Sequence, residues 1–143
     1  MPTSAKGRAL IASFEGLRLE AYLDGRGIPT IGYGHTLGVK MGDTCTQEQA
    51  DVWLASDLVN AQKCITGLVK VVITQNQYDA LTSLAYNIGC GNFSKSTVLH
   101  ELNACNIQLA ADAFLLWSKV DGEFSQGLYN RRLAEQKLFL EGL

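Results

Sequence analysis

Between Glu15 and His35 the apolar period of this chain changes, and that change restricts the folds open to it. Up to Phe14 the pattern is helical, with Leu10, Ile11 and Phe14 on one stripe of a helix over about residues 3 to 14. Gly16 is a natural helix stop, able to take the left-handed conformation that other residues resist, so Glu15 falls at a helix C-terminus. Beyond it Leu17, Leu19, Ala21 and Leu23 alternate with Arg18, Glu20, Tyr22 and Asp24, the two-residue repeat of a half-buried strand. Asp24-Gly25 then signals a hairpin turn of type I′, whose two central positions both need positive φ. The return strand, Thr30-Ile-Gly-Tyr-Gly-His35, puts Gly32 and Gly34 on one face. Bare backbone on a strand marks where a ligand or another chain comes close.

A carboxyl at a helix end and a second one on a hairpin are the two groups that glycosidic cleavage needs. One is protonated to help the leaving oxygen depart, and one is ionised to activate water or attack the sugar. Glu15 faces the negative end of its helix at a partly apolar junction, and both effects disfavour its ionised form. Asp24, on a polar turn, stays ionised. By frequency alone most Glu and Asp residues are solvated surface charges, and the pairing gains force from its wider context.

Glu15, eight intervening residues, Asp24, five more, and then Thr30-Ile-Gly-Tyr-Gly-His resembles the active-site signature of the phage-type lysozymes, or endolysins, of glycoside hydrolase family 24. The likeness continues in Asn76-Gln-Tyr-Asp-Ala-Leu-Thr-Ser-Leu-Ala-Tyr-Asn-Ile-Gly89, Ser96-Thr-Val-Leu99, Ala110-Ala-Asp-Ala-Phe-Leu-Leu-Trp117 and Gly127-Leu-Tyr-Asn-Arg-Arg-Leu-Ala-Glu135. It covers nearly the whole chain and is greatest to endolysins of lambdoid-like phages of Gram-negative hosts.

The resemblance implies an α+β lysozyme-like fold: a small antiparallel hairpin lobe of three strands, a larger helical lobe, a long joining helix and a cleft between. The single catalytic domain would span 1–143, with the β lobe at about 17–45 and the helical lobe at about 68–143 plus the N-terminal helix. It implies hydrolysis of the β-1,4 bond between N-acetylmuramic acid and N-acetylglucosamine in peptidoglycan. Glu15 would be the general acid, Asp24 the base or stabiliser, and Thr30 the holder of a water. Inversion is the outcome the family suggests; retention, with Asp24 as nucleophile, is the alternative that a shorter carboxyl separation would give. Arg131 would hold Glu15, an effect that opposes the helix end by favouring the ionised carboxyl. Tyr33, Tyr86, Ser96 and Thr97 are the candidate substrate contacts, and for Ser96 a plain helix cap is an equal reading. Two rivals remain. A lytic transglycosylase commonly manages with one acid and needs neither Asp24 nor Thr30, and a non-catalytic peptidoglycan-binding relative would have lost one of the three.

The remaining segments read as helices. Thr46-Gln-Glu-Gln49 fits a capping box that opens a helix to about Ile65, before Gly67, with Trp53, Leu54, Leu58, Ala61 and Ile65 as its apolar stripe. Twenty residues at ~1.5 Å each span about 30 Å, enough to join two lobes. A second box, Thr74-Gln-Asn-Gln77, begins the most apolar helix, closed by Gly89, with Tyr78 in the core and Tyr86 and Asn87 towards the cleft. A short helix through Leu102 follows, then one from Ile107 to Trp117 whose core stripe is Leu109, Ala113, Leu116 and Trp117. A polar loop at 121–127 leads to a terminal helix from Leu128 to Leu140 that carries Arg131, Arg132 and Glu135.

Charge and composition exclude several classes. Twelve basic against fourteen acidic residues give a net charge of −2, which argues against nucleic acid or an anionic membrane as the partner. No apolar run approaches the ~18 residues of a membrane span, and Ala9-Leu-Ile-Ala12 is too short for a signal-peptide core. These features read as a cytoplasmic chain without membrane insertion, and the resemblance implies a monomer in the host cytoplasm that acts on the periplasmic wall after membrane permeabilisation by a holin. His35 has no ligating partners and reads as a structural, hydrogen-bonded imidazole. Neither metal nor organic cofactor is implied. Cys45, Cys64, Cys90 and Cys105 lack zinc-ligand spacing; a reducing cytosol favours four thiols, with disulfide pairing as the other option.

Overall fold

The computed structural model describes residues 2–143. In chain order the elements are α1 (Ala5–Glu15), β1 (Arg18–Leu23), β2 (Pro29–Gly32), α2 (Gln47–Leu68), α3 (Gln75–Ile88), α4 (Cys90–Ser94), α5 (Thr97–Asn103) and α6 (Ile107–Ala113). A 3₁₀ turn (Phe114–Leu116), β3 (Lys119–Val120), β4 (Glu123–Phe124) and α7 (Gln126–Leu140) complete the chain.

Both capping boxes form. Thr46 and Thr74 accept from the backbone N–H of Gln49 and Gln77, whose side chains return the bond to the cap backbone. Helix α3 is the centre of the helical assembly: every residue from Gln77 to Ala85 is buried, and α1, α2, α4 and α7 pack around it. Its central place does not come with the most apolar composition that the sequence suggests: Gln77, Asp79, Thr82 and Ser83 are buried along with Leu81, Leu84 and Ala85. The main core joins Leu81, Leu84 and Ala85 to Phe93, Leu102, Phe114 and Phe139, while a second cluster of Ile11, Leu54 and Leu58 lies under α1 and α2.

The start of α1 is fastened to α2 and α3. Thr3 donates its N–H to Gln62 Oε1 at 3.0 Å, and Ser4 donates its N–H to Asp79 Oδ1 at 3.0 Å and its hydroxyl to Oδ2. Gln75 Nε2 reaches Asp79 Oδ1 at 2.8 Å, so the fully buried carboxyl is satisfied by hydrogen bonds and the positive end of α1. Gly7 makes room for it: a Cβ there would stand 2.6 Å from Asp79 Cγ.

Several expectations change. The third strand of the hairpin lobe is reduced to one bridge, Glu20 to Thr44, beside the two-stranded β1–β2 ladder. The leucines of β1 are not inward, since Leu19 is 49% and Leu23 55% exposed; two strands offer no second layer to cover them. The turn at Asp24-Gly25 is not type I′. Asp24 N–H bonds to Ile28 O, Gly27 N–H to Asp24 O, and it is Gly27 (φ 76°) that takes positive φ, the wider turn-and-bulge form. A turn with both central residues at positive φ occurs at Asp121 (φ 50°) and Gly122 (φ 83°), where the expected loop is a small β3–β4 hairpin.

Helix α2 runs through Gly67 to Leu68, its packing outweighing the roughly 1 kcal/mol that a helical glycine costs. In α6 and the following turn the buried residues are Ala110, Ala111, Ala113 and Phe114, while Leu109 and Leu116 are 55% and 66% exposed. The period breaks there because α6 gives way to a 3₁₀ turn after seven residues. The cysteines do not stay as four thiols: Cys64 in α2 and Cys90 at the start of α4 form a disulfide, and Cys45 and Cys105 are free.

Candidate active site

Glu15 is the last residue of α1, and Gly16 turns the chain away at φ 73°. Its side chain is 21% exposed, and Oε1 accepts from Arg131 Nη1 at 3.0 Å, a contact between residues 116 positions apart. Gly34 lies across from it. A Cβ on Gly34 would stand 3.5 Å from Glu15 Oε2 and 3.9 Å from the Tyr86 hydroxyl, so three elements meet at this point. Gly32, the other bare position, serves packing instead, against Ala50 of α2 at 3.2 Å from its own would-be Cβ.

Arg131 belongs to a buried ionic cluster. Its Nε donates to Glu135 Oε2 at 3.3 Å, and its Nη2 lies 3.4 Å from both the carbonyl and hydroxyl oxygens of Ser83. Glu135 is fully buried; Ser83 Oγ donates to its Oε2 at 2.5 Å and Arg132 Nη2 does so at 3.2 Å. Arg132 Nε stands 2.8 Å from Glu135 Oε1 as an ion pair whose angle departs from that of a hydrogen bond. Arg132 also donates to Asn87 Oδ1 at 2.9 Å. Burial pushes the Glu135 carboxyl up, against the pull of both arginines, and pushes the Arg132 guanidinium down.

Asp24 stands at the end of β1. Its Oδ1 accepts the backbone N–H groups of Arg26 at 2.8 Å and Ile28 at 2.9 Å, and these two bonds hold its carboxyl below the usual carboxylate range. Thr30, buried on β2, donates its hydroxyl to Ile28 O at 2.8 Å and keeps its lone pairs free to accept.

The other candidates divide. Tyr86 stands beside the Glu15 carboxylate; burial first, and then that charge, push its phenol well above the ordinary range, so it stays a donor. Tyr33 packs on the Ile11, Leu54 and Leu58 cluster, lining a hollow with Arg8, Ala12 and Asp51. His35 is structural in its contacts: buried, stacked on Trp53 at 4.6 Å and 6°, with Nδ1 2.8 Å from Asp57 Oδ2. Ser96 is occupied as the cap of α5, accepting from Leu99 N–H at 3.1 Å and donating to Phe93 O at 2.7 Å, whereas Thr97 is exposed. By sequence Glu135 reads only as part of the terminal helix, and neither it nor Ser83 is assigned a role at the site. The available signal was the spacing of Arg131 and Arg132 four and three residues before Glu135 on one helix face.

Among the described residues no group of three or more His, Cys, Asp or Glu side chains is placed to hold a metal, and no helix is long and apolar enough to cross a membrane.

The chain and its fold match known proteins over nearly their whole length. The family model "Phage lysozyme" matches residues 12–135. The endolysin of Salmonella phage P22 is 48% identical over 98% of this chain and 99% of its own. Among solved structures, an endolysin from Escherichia coli O157:H7 phage FAHEc1 superposes with TM-score 0.92 at 42% identity, covering 100% of this chain and 96% of that one. The muramidase domain of SpmX from Asticcacaulis excentricus does so at TM-score 0.92 and 39% identity, covering 96% and 97%. This chain belongs to the phage lysozyme family. It has the lysozyme fold, and its class is that of the endolysins, muramidase-type hydrolases that lyse peptidoglycan.

Proposed function

We propose that this chain, as one catalytic domain, hydrolyses the β-1,4 bond between N-acetylmuramic acid and N-acetylglucosamine. The observation that carries the reading is the contrast between its two carboxyls. Glu15 is enclosed at a helix end, and Asp24 lies open on a turn with two backbone donors on a single oxygen. Glu15 protonates the glycosidic oxygen as the C1–O bond breaks. Asp24 Oδ2, free of those backbone bonds, supports the positive charge growing on the sugar and takes the proton of the entering water. Thr30 Oγ, its proton committed to Ile28, accepts a hydrogen bond from that water. Water entering opposite the leaving group inverts C1. Afterwards Glu15 regains a proton and Asp24 loses one to solvent.

Tyr86 beside Glu15 and exposed Thr97 are the substrate contacts this arrangement favours, with Arg131 holding the acid and His35 the base of the hairpin lobe. The protein acts as a monomer on the glycan strand. It waits in the host cytoplasm and depends on a holin to reach the periplasmic wall.

Mass and anomer analysis of fresh products from purified Gram-negative peptidoglycan tests this. Hydrolysis yields reducing N-acetylmuramic acid ends, initially of the inverted anomer. Anhydro ends would make the protein a lytic transglycosylase, and retention would make Asp24 the nucleophile.

A further inference from the structure

The Arg131–Glu15 pair leaves a buried carboxylate unexplained. Glu135 touches no solvent, and a well-packed apolar residue in place of a buried ion is often as stabilising or more so, so core stability alone does not call for a charge there. Its contacts supply a different reason. The guanidinium of Arg131 is planar, with donors in a fixed fork. Glu135 takes Nε at 3.3 Å and Ser83 faces Nη2 at 3.4 Å. With those two edges fixed, the remaining nitrogen, Nη1, is aimed at Glu15.

Charge gives a second reason. Arg131 and Arg132 are adjacent on α7, and the Glu15 carboxyl is paired with the first and lies within electrostatic reach of the second. An acid catalyst under two uncompensated guanidiniums would be held in the form that has no proton to give. With Glu135 present, ionised Glu15 completes a cluster of two cations and two anions. The other groups around Glu15 do not supply this compensation. Tyr86 of α3 is a neutral phenol, Asp57 of α2 is engaged by His35, and Asp24 sits out on the hairpin.

We propose that Glu135 is a positioning residue for the proton donor: it orients Arg131 towards Glu15 and offsets part of the positive charge that the two arginines place beside that carboxyl. This rests on the reading of Glu15 as the acid.

The test follows both the activity–pH profile and the NMR titration of the Glu15 side-chain carboxyl in three variants of the full chain. Glu135→Gln keeps the shape and removes the charge; its basic limb and the Glu15 midpoint should both move down by about one pH unit, with kcat reduced and KM little altered. Glu135→Asp keeps the charge and loses packing; it should be less stable but titrate with the wild type. Arg132→Gln leaves Glu135 wholly to Arg131 and should move both readouts upward. A Glu135→Gln protein that superimposes on the wild type, or a Glu135→Asp protein that shifts as far as Glu135→Gln, overturns the proposal. Should Glu135→Gln fail to fold, an unmoved Arg132→Gln profile overturns it and an upward shift with unmoved Glu135→Asp supports it. A Glu15 midpoint that moves while the activity profile stays would support the role of Glu135 and reject Glu15 as the acid.

Discussion

Asp24 and Thr30 are tied to the same residue: Asp24 Oδ1 accepts the N–H of Ile28 at 2.9 Å, and Thr30 Oγ1 donates to the carbonyl of Ile28 at 2.8 Å. The turn that re-aims the chain thus also fixes the orientation of both side chains. Asp24→Asn keeps the acceptor oxygen and so the turn, but loses the anion. Unaltered circular dichroism with strongly reduced wall cleavage is expected, and full activity would remove Asp24 from the chemistry.

The same two backbone donors set the pH behaviour of Asp24. Its folded pKa lies below the unfolded one, so its contribution to stability is fully present above the unfolded value, about 3.9, and is lost as pH falls through the lower folded value. NMR titration of the Asp24 carboxyl should therefore give a midpoint below about 3.9. A midpoint at or above that value would contradict the hydrogen bonds described.

Gly7 sets propensity against packing. In an exposed helix Gly→Ala gains about 1 kcal/mol. Here the new methyl would stand 2.6 Å from Asp79 Cγ and 2.8 Å from Thr3 Cγ2, in a corner where Asp79 is hydrogen-bonded and cannot retreat. Overpacking of this kind costs about 1–3 kcal/mol, so Gly7→Ala should lower stability in urea titration; a gain would show that the corner yields.

The Cys64–Cys90 bridge closes a loop of 26 residues and fastens α2 to the chain just beyond α3. Its removal by Cys64→Ala with Cys90→Ala should cost about 3 kcal/mol, from the loop entropy restored to the unfolded chain. Equal denaturation midpoints for this variant and the oxidised wild type would show that the bridge adds nothing.

How far the sequence alone reached differs between elements. Helix starts were legible because Thr46 and Thr74 carry their partners three residues on, a purely local signal. The position of Glu15 at a helix end and of Asp24 at a strand end was legible from a glycine stop and an Asp-Gly pair, whereas the roles proposed for them came from the resemblance to the family. Most of what failed was settled by how the elements pack. Leu19 and Leu23 alternate as buried residues do, yet nothing covers them; Gly67 reads as a stop, yet α2 continues. The two Asp-Gly pairs look alike, but only Asp121-Gly122 adopts positive φ at both residues, while the side chain of Asp24 is drawn back onto Arg26 and Ile28. Glu135 looks like any helix-surface acid until α3 and α7 close over it, and the joining of Cys64 to Cys90 depends on how α2 meets α4.

In the proposed reaction Glu15 supplies the proton. Release of reducing sugar ends from purified Gram-negative peptidoglycan should be compared for the wild type and a folded Glu15→Gln variant, which keeps the acceptor for Arg131 and has no proton to donate. Cleavage should fall at least about 100-fold with the thermal transition retained. Cleavage by the variant at the wild-type rate would contradict this role and place the acid elsewhere.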